Sequence, residues 1–582
     1  RSPVASIRPP SSVKPKLKLR TPRMPDSSLK ESLLYAFWRV CGLVNLHRDM
    51  LNARYQDTEP AVLIVTTALV TYIGQRAVRR IVYGEGFVPN VRRGFLSTLR
   101  SLPIVRDYVR EKMDNIALDV ERSLNKCYAD CRFILELPEK RWTPEAILEE
   151  MDRNDGLCPV KWKKGVVSGA IYTEHDSRLE AMMISVYERH LRSNPLHSDV
   201  FVGVRKMEAE VIRWCCNLFH GGPDSCGSMT SGGTESLILA CKAHRDYGYF
   251  EKGIVYPEMV VPATAHAGFD KAGEYLRVKV IHVPVDPETM KADVRKMKAA
   301  ITGNTIMLVG SAPQFPHGCI DPIQEIAELG VKYNIPVHVD ACLGGFLVPF
   351  MDEAGFPLPP FDFRLDGVAS ISADTHKYGY TPKGSSMVMY RSRKHHHYQF
   401  SVATDWPGGV YATPTVSGSR AGSVAACTWA SLLYYGREGY VEATRKIIAT
   451  TRKIITELRT VPGIRVLGSP DVSVVAVGSD EFDIFQLLDK LSHRGWNLNP
   501  LQYPSGFHLC VTLLHVAENV ADQFVSDVRE CTAEIMQAPR LPSSGKAAIY
   551  GMAQSIPDRS VIEELACAYI DACYSTRYLP SS

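Results

Sequence analysis

Two lysines stand six residues apart in Ile371-Ser-Ala-Asp-Thr-His-Lys-Tyr-Gly-Tyr-Thr-Pro-Lys383, and the first, Lys377, follows a short apolar run almost directly. An amine there becomes a candidate nucleophile if the run is a strand of an open α/β sheet, because ligands of such sheets sit past the carboxyl ends of the strands. A second run, Val337-His-Val-Asp340, ends in a carboxylate and continues as Ala341-Cys-Leu-Gly-Gly345. Either residue alone says little; an amine and a carboxylate on two strand ends describe a cofactor chemistry. Pyridoxal phosphate needs a lysine for covalent attachment, a carboxylate to keep its ring nitrogen protonated, and an anion site for its phosphate. The stretch Met229-Thr-Ser-Gly-Gly-Thr-Glu-Ser236 offers the third: its glycines allow close backbone approach, and the helix that follows presents free N–H groups. By itself Ser231-Gly-Gly-Thr234 is also an ordinary capped helix start. Ala263-Thr-Ala-His266, again after an apolar run, offers an imidazole to stack on the ring, though alone that histidine reads as structural.

Such residues need a sheet to carry them. Short β-branched runs (Met259–Pro262, Val278–Val283, Thr305–Val309, Ile335–Val339, Val368–Ile371) alternate with helical segments such as Glu235–Tyr247 and Pro322–Tyr333, which predicts a mostly parallel sheet covered on both faces. After Val424 two long helical patterns lead to short strands at Ile464–Leu467, Val472–Val477 and His508–Val511, as in a smaller α+β domain. The chain is too long, at 582 residues, for a single core. We divide it into a basic segment (1–58), a membrane helix (59–82), a helical connector and arm (83–165), a cofactor-binding α/β domain (166–425) and the smaller domain (426–582).

The first 30 or so residues, rich in Pro, Ser, Lys and Arg, cannot bury enough apolar surface to offset chain entropy and are expected to be disordered; the prolines argue against a targeting helix. Ala61–Gly74 carries no charge, and Ala77, Val78, Ile81 and Val82 extend it, which suggests a single span with snorkelling arginines. Arg76, Arg79, Arg80, Arg92 and Arg93 follow it against Arg48 and Arg54 before, so the positive-inside bias puts everything downstream in the cytosol. The fifteen cysteines show no repeated CxxC pattern; reduced thiols and no zinc are expected. A net charge of +4 gives no case for nucleic acid, and the run His395-His-His397 reads as a solvated turn.

In order and spacing, the set Ser231-Gly-Gly-Thr-Glu235, Ala265-His266, His338-Val-Asp-Ala341 and Thr375-His-Lys377 resembles the pyridoxal-phosphate group II decarboxylase family. Within it, Phe219–Gly227, Pro313–Gly318, His338–Phe346, Ser372–Tyr380 and Ala548–Gln554 are most similar to the branch that cleaves sphingoid base 1-phosphates. The resemblance implies fold type I, like aspartate aminotransferase, with Lys377 as the cofactor-linked lysine, Asp340 on the ring nitrogen and His266 over the ring. Gly233, Thr234 and His376 would hold the cofactor phosphate. At a homodimer interface Ser419, in Val416-Ser-Gly-Ser-Arg420, would reach the phosphate of the neighbouring subunit. Tyr172, Asn194, His197 and Lys383 would meet the substrate phosphate. The implied reaction is retro-aldol cleavage to a long-chain aldehyde and ethanolamine phosphate, with Lys377, His266 or His317 as base, by an enzyme anchored in the endoplasmic reticulum membrane with its catalytic domain in the cytosol. An amino-acid decarboxylase on the same scaffold, and a membrane-tethered protein without chemistry, are the competing readings.

Overall fold

The computed structural model describes residues 103–128, 131, 133–537 and 559–576. The basic segment, the span expected at 59–82 and the stretch Ala548–Gln554 lie outside these residues. Among the described residues no helix is long and apolar enough to cross a membrane.

Seven strands form the larger sheet: β1 (Cys226–Thr230), β2 (Glu258–Pro262), β3 (Lys279–Val283), β4 (Thr305–Ser311), β5 (Val337–Asp340), β6 (Val368–Ala373) and β7 (Ser386–Tyr390), in the order β1-β7-β6-β5-β4-β2-β3. Neighbours from β3 through β6 pair in parallel, and β7 runs antiparallel to both β6 and β1. β2, β4, β5, β6 and β7 are buried along their whole length, as strands covered by helices on both faces must be. This is why their sequences are continuous apolar runs and not alternating ones. The helices expected at Glu235–Tyr247 and Pro322–Tyr333 run from Gly233 to Lys252 and from Ile323 to Tyr333.

A two-stranded ribbon, β8 (Ser401–Ala403) with β9 (Tyr411–Thr413), precedes the long helical region Gly422–Leu458. The two helical patterns of that region meet at Gly436, whose φ of 53° and ψ of −175° a side chain would disfavour. Four antiparallel strands form the smaller sheet: β10 (Arg465–Val466), β11 (Val474–Gly478), β12 (Asn499–Leu501) and β13 (Gly506–Cys510), ordered β10-β11-β13-β12. The start of the segment 166–425 lies on this smaller sheet: Ser168 N–H donates to Asn497 O, and Gly169 N–H to Cys510 O. One hydrophobic core joins both parts, with Phe346, Ile371 and Met387 packed in the same cluster as Ile447, Val474 and Phe507.

The histidine run is not a solvated turn. Arg393–His397 is a short helix that lays its rings on the sheet: His396 stacks on Tyr390 with centroids 5.4 Å apart and its Nε2 lies 2.9 Å from Ser228 Oγ, while His395 packs at 4.5 Å from Tyr247. Burial pushes both imidazoles down to about 4. Three consecutive polar-looking residues hid an aromatic contact surface.

Candidate active site

The carboxyl ends of β1, β2, β5 and β6 lead directly into Ser231–Gly233, Ala263–His266, Asp340 and Asp374–Lys377. Lys377 Nζ lies 2.9 Å from Asp374 Oδ2, and Asp374 is 2 % exposed. Burial by itself would lower the Lys377 ammonium, but the Asp374 charge overrides it and holds the amine above its ordinary value. Asp374 mirrors this: burial pushes its carboxyl up, and Lys377 and then His376 bring it below the usual range. The turn carrying the pair is bolted down. Tyr378 Oη donates to Val511 O (2.6 Å) and lies 2.7 Å from Ser473 Oγ, Tyr440 Oη donates to Gly379 O (2.9 Å), and Thr375 Oγ1 bonds Ser385 Oγ. A covalent attachment point needs such a support, since rotamer freedom at the amine would spread the cofactor over many positions.

The helix Gly233–Lys252 starts beside this turn. The N–H groups of Gly233, Thr234 and Glu235 have no intrahelical acceptor, the first helical bond running from Ser236 N to Gly232 O. A Cβ on Gly233 would lie 2.9 and 3.0 Å from the two Asp374 carboxylate oxygens, and one on Gly232 would lie 3.5 Å from His376 Cε1. Glycine at 233 thus keeps the helix start open to Asp374. His376 donates its backbone N–H to Ser385 O and takes Ser385 N–H on Nδ1, so its ring is fixed facing Gly232. Burial lowers this imidazole, with Asp374 opposing and Lys383 and Lys377 reinforcing the shift. Asp340 is 6 % exposed, and its Oδ1 accepts Cys342 N–H at 3.0 Å. Cys342 is within electrostatic range of Asp340, Asp374 and Lys377 together, and burial, followed by Asp340, pushes its thiol up. An amine, a second buried carboxylate and an open helix start converge at one place, the donor set pyridoxal phosphate requires.

Of the residues expected at the substrate phosphate, Lys383 and Tyr172 belong to this group. Lys383 Nζ lies 4.7 Å from the centre of the Tyr172 ring and donates to His376 O at 3.3 Å, while Tyr172 meets Tyr378 edge-on at 4.9 Å. Asn194 and Ser419 join each other instead: Asn194 Nδ2 donates to Ser419 Oγ, and Asn194 Oδ1 accepts the N–H groups of Leu196 and Arg420, all at 3.1 Å. Their link to the glycine-rich loop is Glu235, which accepts Ser231 N–H and Ser231 Oγ at 2.6 Å each and Val416 N–H at 2.9 Å. His197 is exposed in the turn after Asn194. His266 is exposed too, its Nδ1 accepting Gly268 N–H at 2.9 Å to cap the helix Gly268–Leu276. His317 is buried beside Gln314 and pushed down to about 4 by that burial, its Nε2 without a hydrogen-bond partner.

Sequence reasoning gave no role to Asp374 or Glu235. A signal existed for each: a carboxylate three residues before the lysine, and a glutamate four residues after a serine at a helix start.

The Pyridoxal-dependent decarboxylase conserved domain matches residues 190–477. The chain is 49% identical over 526 residues to the sphingosine-1-phosphate lyase of Drosophila melanogaster, covering 90% of this chain and 96% of the relative. It is 45% identical over 530 residues to the sphingosine-1-phosphate lyase 1 of Rattus norvegicus, covering 91% and 93%. Among solved structures, the sphingosine-1-phosphate lyase of Burkholderia pseudomallei superposes with a TM-score of 0.68 at 37% identity, over 74% of this chain and 99% of that one.

Proposed function

The chain belongs to the sphingosine-1-phosphate lyase family, and on that premise we propose that Lys377 carries the cofactor, Asp340 faces its ring nitrogen and Lys383 grips the substrate phosphate. It is a pyridoxal-phosphate-dependent carbon–carbon lyase that cleaves sphingosine 1-phosphate to a long-chain aldehyde and ethanolamine phosphate. Bound pyridoxal phosphate supplies the sink for the electron pair left on C2 as the C2–C3 bond breaks; C2 then takes a proton.

The protein's part is to hold charges and protons. Asp374, 2.9 Å from Lys377 Nζ, keeps the amine aimed and stabilises its charged form. Gly233 and Thr234 offer the helix start to the cofactor phosphate, with His376 at its side. His266 is assigned to the ring face, which its cap on Gly268 supports by fixing the imidazole's orientation. Tyr172, Asn194 and His197 complete the substrate-phosphate set. The observation that carries the reading is the placement of Lys383: an ammonium six residues from the reactive lysine, lying over an aromatic face and close enough to feel Lys377, puts a second positive charge next to the first. A decarboxylase has no use for a second phosphate site. Purified holoenzyme incubated with phosphorylated sphingoid bases is expected to release aldehyde and ethanolamine phosphate in equal amounts; carbon dioxide released from an amino acid in their place would overturn the reading.

The same reading includes a homodimer in which Ser419 serves the neighbouring subunit's cofactor phosphate, and a single-pass anchor at 59–82 in the endoplasmic reticulum membrane with the catalytic part cytosolic. The uncharged run Ala61–Gly74 and the arginines after it support the anchor, and a lipid substrate gives it a purpose. Deleting residues 1–82 is expected to leave a soluble, dimeric, active enzyme; membrane pelleting of that variant would place the anchor elsewhere. The full chain should colocalise with a marker of the endoplasmic reticulum.

A further inference from the structure

Behind Asp340 runs a line of hydroxyls and imidazoles that the reaction leaves unused. Ser372 Oγ lies 3.4 Å from Asp340 Oδ1 and 3.2 Å from His338 Nε2. His338 Nδ1 lies 2.8 Å from Ser370 Oγ, which lies 2.7 Å from His244 Nε2 in the helix Gly233–Lys252. The line follows from the pleat: His338 and Asp340 are two apart on β5, Ser370 and Ser372 two apart on β6, and the register pairs His338 with Ser370 and Asp340 with Ser372. His244, His338, Ser370 and Ser372 are all fully buried at 0 % exposure, so no water competes for these bonds.

Bond counting sets the direction of every proton. A carboxylate paired with a protonated ring nitrogen only accepts, so the Ser372 hydroxyl donates to Asp340. Ser372 Oγ then accepts from His338, which puts the His338 proton on Nε2 and leaves Nδ1 to accept from the Ser370 hydroxyl. Ser370 in turn accepts from His244 Nε2–H. His244 Nδ1 ends as a bare lone pair, and it is the ring nitrogen of this line that is buried without a partner. The reverse polarity would strand a buried N–H at that position and turn the Ser372 lone pairs on the carboxylate, an unmade bond at each end of the line.

We propose that His338 and His244, acting through Ser370 and Ser372, are positioning residues that direct four aligned donors at Asp340 and fix its carboxylate toward the pyridine nitrogen of the cofactor. The inference rests on the assignment of Asp340 to that nitrogen. Burial pushes His338 down to about 4 and His244 well below its ordinary value, so both rings donate one proton each without adding positive charge behind the carboxylate.

The test uses holoenzyme reconstituted with cofactor labelled with nitrogen-15 in its ring, read by the ring-nitrogen chemical shift near neutral pH and by cofactor affinity. Ser370→Ala cuts the line and is expected to move the shift toward the unprotonated value and to weaken affinity about tenfold, the low end for loss of an outer hydrogen bond behind a ligating group. Ser370→Thr, which keeps the hydroxyl, is expected to restore both. A native shift in Ser370→Ala with a moved shift in Asp340→Asn would overturn the relay and leave the assignment of Asp340 standing. A native shift in Asp340→Asn would sink that assignment and the relay with it. Should Ser370→Ala fail to fold, Ser372→Ala cuts the line one bond nearer Asp340, with the same two readings.

Discussion

Lys377 and Lys383 share one turn and live under opposite rules. Lys377 has a buried counter-charge and a turn locked by Tyr378, Tyr440 and Thr375; Lys383 is exposed, with a single bond to a carbonyl and an aromatic face beneath it. Burial acts against both ammonium groups. At Lys377 the Asp374 carboxylate reverses the effect, whereas at Lys383 burial and then the Lys377 charge lower the amine, with Asp374 opposing them without reversing the shift. An amine that must form one bond at one place is held by the fold. The amine we assign to an arriving phosphate is left reachable, without an ion pair among the described residues.

The comparison breaks most visibly at Lys377. Lys377→Ala is expected to abolish the visible absorbance of bound cofactor and to lower kcat by about 10⁴-fold or more, as for removal of other covalent groups. Lys383→Ala, measured in parallel, should keep the absorbance; if the two variants lost it alike, their separation into two roles would fail.

Next in size is the counter-ion. Asp374→Asn leaves the buried amine without its partner and is expected to destabilise the cofactor-free protein by about 3 kcal/mol in denaturant unfolding. The signs set the pH window. Asp374 is depressed in the fold, so its contribution is present above the ordinary aspartate value of about 3.9 and lost as pH falls through the folded value. Lys377 is raised, so its contribution is fully present below about 10.4 and lost only as pH rises through the folded value. The stability gap between native protein and variant should therefore be flat from about pH 5 to 9 and close on acidification. A gap that changed near neutrality would mean that another group titrates with the pair.

The same contrast separates what the sequence makes legible from what it does not. Residues that serve the covalent chemistry sit at strand ends, where a buried apolar run stops at a charge, so Asp340 and Lys377 stand out to anyone counting runs. Asp374 lies on the same stretch yet does not stand out, because a carboxylate near a lysine is common and only burial shows that it is the main counter-charge of Lys377. The residues proposed to grip phosphate lie on loops from distant parts of the chain. Nothing in Asn194 or Ser419 announces that 225 residues later the chain returns to make one hydrogen bond, and only family resemblance pointed to either. The misread histidine run has a related cause: imidazoles pack as aromatic rings when a sheet is there to receive them, and local sequence does not show the sheet.

Lys383→Ala is expected to raise KM about tenfold with kcat nearly unchanged, the loss of one charge-assisted bond to phosphate in a partly wet site. Lys383→Gln should fall close to Ala, because an amide over the Tyr172 ring supplies neither the charge nor the cation–π contact. An equal drop in kcat would shift Lys383 toward the reacting atoms.

The smallest effect tests the exposed side of the comparison at its weakest point. Asn194 Oδ1 takes the Leu196 and Arg420 N–H groups, so its oxygen is structural, while its Nδ2 goes to Ser419 and is free to exchange that partner for a ligand. Asn194→Asp keeps the oxygen and replaces the donor by a negative charge. Stability should stay within about 0.5 kcal/mol of native, since both backbone bonds survive. If Asn194 faces a substrate phosphate, the new charge raises KM severalfold, and added salt recovers part of the loss by screening it. A KM that did not move, with salt or without, would reduce Asn194 to a clamp on the Ser419 loop and leave the phosphate to Lys383, Tyr172 and His197.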